Sequence, residues 1–179
     1  MARMFRFLTA DEIEVKIKQV KENGLVCLLY KTARTDMDLL DETVGAGNWT
    51  NDYKEIKGNL YAGIGIIQEN GSIQWKWDCG IESREDEEGN QKKGEASDAF
   101  KRAGFRWGIG RELYTSPFVW IPSNKAEIKA SSFNGKTRFN CYDKFSVEKI
   151  AYDEKTGRIT GLAIRNDTKN LRAFVWQQS

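Results

Sequence analysis

Residues 92–107 constrain the fold of this chain more than any other stretch. At about 100° per residue, Ala96, Ala99, Phe100, Ala103 and Trp107 fall on one arc, and Glu95, Asp98, Lys101, Arg102 and Arg106 on the opposite one. A helix of this kind has to lie on a core, with its small and aromatic side chains inward. Gly108-Ile109-Gly110 ends it, and Arg111 and Tyr114 follow on the exit.

What the helix lies on is legible upstream. From Trp49 the pattern changes to period two, with three strand-like runs punctuated by Lys57-Gly58-Asn59 and by Asn70-Gly71, the latter a type I′ hairpin signal. An antiparallel meander is predicted. Gly63 and Gly65 inside it point to a bulge or a close backbone approach, because the Walker ending Gly-Lys-Ser/Thr of a phosphate loop is absent. Nearer the start, Thr9-Ala10-Asp11-Glu12 reads as a capping box, with Leu8 and Ile13 as a hydrophobic staple. Ile13, Ile17 and Val20 continue at helical spacing, so a first helix is predicted over residues 9–22, ended by Asn23-Gly24. Residues 25–30 are an apolar run suited to a buried strand. A second helix is expected over residues 36–44, capped by Thr35, with Met37, Leu40 and Val44 inward and Gly45 as its stop. The run from Arg84 to Asn90 reads as a solvated loop. Beyond Pro122 a polar linker leads to strands near residues 138–150, 158–165 and 171–176.

Composition sets the remaining bounds. A chain of 179 residues with 40% hydrophobic content can bury one sizeable core, which favours a single domain over 1–179. No window approaches the roughly 18 apolar residues of a membrane span, and Asp11 and Glu12 arrive before any signal-like run, so a soluble, cytoplasmic protein is expected. Cys27, Cys79 and Cys141 are too far apart for a zinc knuckle and read as reduced thiols. The chain has no histidine, which removes Ser-His-Asp and Cys-His nucleophile systems. No metal or nucleotide cofactor is indicated. The formal charge of +2 does not by itself imply a polyanion partner, so local clustering has to carry that argument.

Clustering occurs on the third helix, where Lys101, Arg102 and Arg106 span little more than a turn, and Lys92, Lys93 and Arg111 bracket them. Arginine forks on a rigid platform suit phosphate oxygens. The same spacing equally fits a solvated helix in which Asp98 or Glu95 pairs with Arg102. In the meander, Lys54, Lys57 and Lys76 fit either a groove wall or edge lysines that discourage aggregation. Trp75 and Trp77 share a face by alternation, and a buried pair at a sheet core or subunit seam is favoured over a base-stacking platform. From another class, Asp78, Glu82 and the carboxylates of residues 85–88, with Lys92 or Lys93 nearby, would suit a metal-dependent nuclease. A protein that binds a host factor and not DNA is a further alternative.

The block from Gly94 to Tyr114, GEASDAFKRAGFRWGIGRELY, resembles the signature helix of the Sak-type phage single-strand annealing proteins, which are similar to the Rad fifty-two family. Leu39 to Trp49, LLDETVGAGNW, resembles that family's helix, glycine turn and tryptophan ahead of the meander, and Leu8 to Lys16 resembles its opening helix. Together the matches cover about residues 8–120, leaving 123–179 as a C-terminal strand extension. The resemblance implies an α+β fold in which an antiparallel meander packs on a long amphipathic helix, with an N-terminal helix and added C-terminal strands. It implies a homo-oligomeric ring with single-stranded DNA in a basic groove, and annealing without ATP by a protein that is not an enzyme. Lys101 and Arg102 match the family's paired backbone-binding residues, and Lys16 matches a basic residue of the opening helix. Where the family often has another basic residue this chain has Phe105, with Arg106 next to it. A phage or host single-strand-binding or replication protein is the expected protein partner.

Overall fold

Alternating side chains dominate the chain, and among the described residues, 3–81 and 88–178 of a computed structural model, strands outnumber helices eleven to two. Strands β1 (Glu14–Lys21) and β2 (Gly24–Tyr30) come first, followed by helix α1 (Ala33–Val44). Strands β3 (Trp49–Ile56), β4 (Asn59–Ile67) and β5 (Ile73–Cys79) lead to helix α2 (Glu88–Trp107). The remainder is β6 (Val119–Pro122), β7 (Ile128–Phe133), β8 (Lys136–Cys141), β9 (Phe145–Tyr152), β10 (Ile159–Asn166) and β11 (Leu171–Gln177). The chain forms two compact units: one contains Lys31–Gly110 with the stretch ending at Arg6, the other Phe7–Tyr30 with everything from Arg111 onward.

In the first unit, β3, β4 and β5 form the expected antiparallel meander. Ala62, Ile64 and Ile66 of β4 are buried, as are Ala99, Phe100, Ala103 and Trp107 of α2, and the Trp107 indole N–H donates to the Ile64 carbonyl at 2.9 Å. That bond lets a large ring enter the core without leaving its polar end unsatisfied. Gly63 and Gly65 fall on the other face, directly opposite Trp77 and Trp75. A β-carbon on Gly63 would stand 2.6 Å from the Trp77 ring, so the glycines are where the two indoles lie across the strand. This is the close backbone approach that their spacing suggested.

The hairpin chemistry is transposed relative to expectation. Lys57 and Gly58, at φ of 53° and 75°, make the two-residue turn with both residues left-handed, between β3 and β4. At Asn70-Gly71 only the glycine is left-handed, and the loop is longer, closed by Gln68 N–H donating to the Ser72 carbonyl at 2.8 Å. The Asn70 side chain instead accepts from the Ser72 N–H at 3.0 Å, a local bond that replaces the tight turn. Helix α1 likewise begins earlier than predicted. Its cap is Thr32, whose hydroxyl accepts from the Thr35 N–H at 3.3 Å, and its inward residues are Thr35, Asp36, Leu39 and Leu40, while Met37 is exposed. Gly45, at φ of 90°, ends it as expected.

The second unit corrects the reading of the N-terminus. The helix predicted over residues 9–22 is a single 3-10 turn, Ala10–Glu12, followed by strand β1. The capping pattern does operate: Glu12 accepts from the Thr9 N–H at 2.8 Å. Past it, however, Glu14, Val15, Lys16 and Ile17 alternate out and in, and a bulge between Ile17 and Gln19 shifts Val20 by one place. That bulge is what gave Ile13, Ile17 and Val20 their helical spacing. β1 pairs with β2 and joins β9 at Glu14↔Ser146, giving a six-stranded antiparallel sheet in the order β11-β10-β9-β1-β2-β6 whose edge strands β6 and β11 approach each other. The C-terminal strands therefore share a sheet with the N-terminal hairpin.

The polar linker expected beyond Pro122 contains β7, which pairs with β8 as a separate hairpin. The run predicted over residues 138–150 is two strands, parted at Tyr142-Asp143-Lys144. Asp143 is buried there and accepts from the Glu127 N–H at 2.8 Å and from the Asn166 amide at 2.7 Å, a polar knot that a continuous strand would not allow. Among the described residues no helix is long and apolar enough to cross a membrane.

Candidate nucleic-acid interface

The C-terminal half of α2 is anchored by Phe100, Ala103 and Trp107, and the same turns present Lys101, Arg102 and Arg106 away from the buried side chains. Lys101 and Arg102 are half-buried and Arg106 is exposed. Each arginine has an acidic neighbour. Arg102 Nε donates to Asp98 Oδ2 at 2.7 Å, one helical turn back, and that oxygen also accepts from the Ile81 N–H at 3.0 Å. Arg106 Nε donates to Asp78 Oδ2 at 2.9 Å. Glu95 is otherwise engaged, accepting from the Leu60 N–H at 3.2 Å. The pairing of Arg102 with Asp98 anticipated for a solvated helix is thus present, and its strength decides what it means. The pair is half-buried and charge-assisted, so a phosphate reaching Arg102 has to share it with Asp98 or replace a bond of the same kind as the one it makes.

Lys76 and Lys54 do not share a wall. Lys76 is paired with Ile64 on the face covered by α2, where its ammonium donates to the Arg106 carbonyl at 3.1 Å and lies 4.3 Å from the centre of the Trp107 ring. Lys54 is paired with Tyr61, on the opposite face, 4.3 Å from the centre of the Trp77 ring and beside Asp52. Strand alternation separates them. Trp75 and Trp77 stack at 5.4 Å on that second face and are half-buried. Lys92 and Lys93 lie within α2, but their side chains fall outside the described residues, as do Glu82 and residues 85–87 of the acidic run. Glu88 opens α2 and its side chain likewise falls outside the described residues, while Asp78 of that set is held by Arg106 and by the Cys79 N–H. Lys16, on β1, and Arg111, opening a 3-10 turn at Arg111–Thr115, are exposed and belong to the second unit.

One constellation was missed from the sequence. Lys31 and Asp36 are fully buried and hydrogen-bonded to each other, and Lys31 Nζ also donates to the main-chain carbonyl of Lys101 at 3.0 Å. Burial pushes the Asp36 carboxyl above the usual carboxylate range, against the opposing pull of Lys31 and then of Lys101. The available signal was Gly104, since a glycine inside a helix costs about 1 kcal/mol relative to alanine and calls for a packing reason.

Cations held on a helix that is itself pinned to an antiparallel sheet meet the electrostatic requirement of a polyanion-binding surface. The family model for the Rad52/22 family double-strand break repair protein matches residues 6–131, and the chain belongs to that family. Membership carries a role in DNA recombination and repair. The match takes in β1, the meander, α2 and the strands up to β7. Comparisons with curated proteins and with solved structures give no match.

Proposed function

We propose that the chain binds single-stranded DNA and anneals complementary strands without ATP, as a non-enzymatic, phage-encoded protein of the Sak type working in the bacterial cytoplasm as a homo-oligomeric ring. The observation that carries this reading is the α2 face. Lys101 and Arg102 sit side by side on a helix whose other side is locked into the meander, so their charges are presented at fixed spacing. A protein that holds the sugar–phosphate backbone this way leaves base edges free to sample register, and duplex stability drives the product. Arg106 and Lys76 extend the face, Lys92 and Lys93 precede it in the sequence of the same helix, and Lys16 and Arg111 are further candidate contacts, carried by the second unit. Lys54 belongs to the opposite face of the meander and is the weakest member of the set. A phage or host single-strand-binding or replication protein is the protein partner.

A fluorescence-transfer assay with complementary labelled oligonucleotides and no nucleotide tests the reading. Pairing faster than for naked DNA is expected. No acceleration at any ratio of protein to nucleotide would overturn it, and cleavage of labelled DNA with magnesium or manganese would redirect it to a nuclease.

A further inference from the structure

A lysine and an aspartate lie beneath the basic face, fully buried, and touch the helix that carries it. Lys31 follows β2 directly, and Asp36 is in the first turn of α1. The Lys31 ammonium donates to Asp36 Oδ1 and to the Lys101 carbonyl at 3.0 Å, and sits 4.2 Å from the centre of the Phe105 ring. The second carboxylate oxygen, Asp36 Oδ2, finds no hydrogen-bond partner among the described residues. Gly104 is part of the arrangement, because a β-carbon there would stand 2.1 Å from Asp36 Oδ1 and 3.3 Å from Lys31 Nζ. The helix offers bare backbone at the point where the pair reaches it.

A pair of this kind is a poor source of stability. Desolvating two charges costs several kcal/mol each, and apolar residues of similar volume often serve as well or better. What apolar residues cannot supply is a directed bond to one particular carbonyl. The carbonyl gripped here is that of Lys101, the residue whose side chain, with Arg102, leads the candidate DNA face.

We propose that Lys31, oriented by Asp36, is a positioning residue for DNA binding: its bond to the Lys101 carbonyl fixes the height and rotation of α2 at the turn that presents Lys101 and Arg102. The proposal rests on the reading of that turn as a DNA contact. Lys31 itself touches no DNA. Its effect is to preorganise the cations, so that less ordering is left to be done when a strand binds.

The test compares the full chain with the double variant Lys31→Met/Asp36→Leu, which keeps volume and removes both buried charges together. Three quantities are read: urea unfolding, affinity for a poly-dT oligonucleotide, and amide hydrogen exchange across residues 99–106. The expected result is stability at or above the parent, affinity lower by roughly fivefold as preorganisation is lost, and faster exchange at the end of α2. Parent-like affinity and exchange in the folded double variant would overturn the proposal and leave the pair as packing. If the double variant does not fold, Lys31→Gln takes its place, since it removes the charge but keeps a donor one atom shorter. Affinity and exchange nearer the parent's than those of Lys31→Met support the positioning bond, and equal losses in both overturn it. If Lys101→Ala/Arg102→Ala binds poly-dT as the parent does, the DNA reading of the face has failed. Hydrogen exchange alone then decides whether Lys31 fixes α2.

Discussion

Single residues decide where α2 sits. Gly104 is the clearest case, because two effects oppose each other there. Alanine would improve helix propensity by about 1 kcal/mol. Its β-carbon, however, would fall 2.1 Å from an oxygen of a fully buried pair, and forcing an extra methyl into a packed site costs about 1–3 kcal/mol or more. Sterics win, so Gly104→Ala should lower the urea midpoint, and an unchanged or raised midpoint would show that the pair yields freely. Lys101 and Arg102 behave differently. Neither side chain fills the core, and the bond from Lys31 goes to the Lys101 main chain, which alanine retains. Lys101→Ala/Arg102→Ala should therefore keep the fold while losing charge-assisted contacts of about 1.5–3 kcal/mol each. Single-strand affinity should fall tenfold or more at matched stability, measured by fluorescence anisotropy. If the variant elutes as smaller particles in sizing chromatography, the pair supports a subunit seam instead. At this scale the sequence was partly legible: the cations and their alternative partner Asp98 could be named from spacing. Lys31 and Asp36 could not, because nothing local says that two charged residues five apart turn inward beneath a helix seventy residues away.

Elements are legible where the period is unambiguous and long. The meander and the end of α2 at Trp107 were legible because alternation and the 3.6-residue arc persist over several turns or strands, whereas α2 starts at Glu88, a turn before the predicted residue 92 and inside the run read as a loop. The N-terminal segment was not legible. A bulge in β1 placed its apolar residues at helical spacing, and the partners that make it a strand, β2 and β9, are set by the tertiary sheet, one of them at Ser146. The strands after Pro122 were read only in outline for the same reason, since a buried Asp143 held by Asn166 parts β8 from β9 without any turn signature. The meander yields its own test. Strand propensity favours replacing Gly63 by a larger residue, by up to about 1 kcal/mol. The Trp77 ring occupies that space, 2.6 Å from a β-carbon, and stacks on Trp75. Gly63→Val should accordingly destabilise, and the near-ultraviolet circular dichroism of the indole pair should change. A stabilised variant with an unaltered spectrum would mean that the rings move aside without loss.

At the scale of the whole molecule, charge is the limiting resource. A net charge of +2 from 28 basic and 26 acidic residues means that acids are nearly as numerous as cations and can compete for them. Arg102 and Arg106 show the pattern, one beside Asp98 and the other beside Asp78. Binding to a polyanion should then scale with the cations that reach phosphates and not with the total number of basic residues. For single strands each phosphate neutralised contributes a slope of about 0.7 in log affinity against log salt. If Lys101 and Arg102 both contact phosphates, together they contribute about 1.4 to the slope of one protomer, being twice that value. Removing one of them should take away about 0.7 and removing both about 1.4. Arg106→Ala separates two accounts. If Arg106 stays with Asp78, as its 2.9 Å bond suggests, the slope is unchanged and only affinity drifts slightly; if it swings to a phosphate, the slope falls by about 0.7. Titration of poly-dT from low to near-physiological salt, per protomer, distinguishes them. A slope that ignores all three substitutions would move the DNA contact off α2 altogether and leave Lys16 and Arg111 of the second unit as the residues to test.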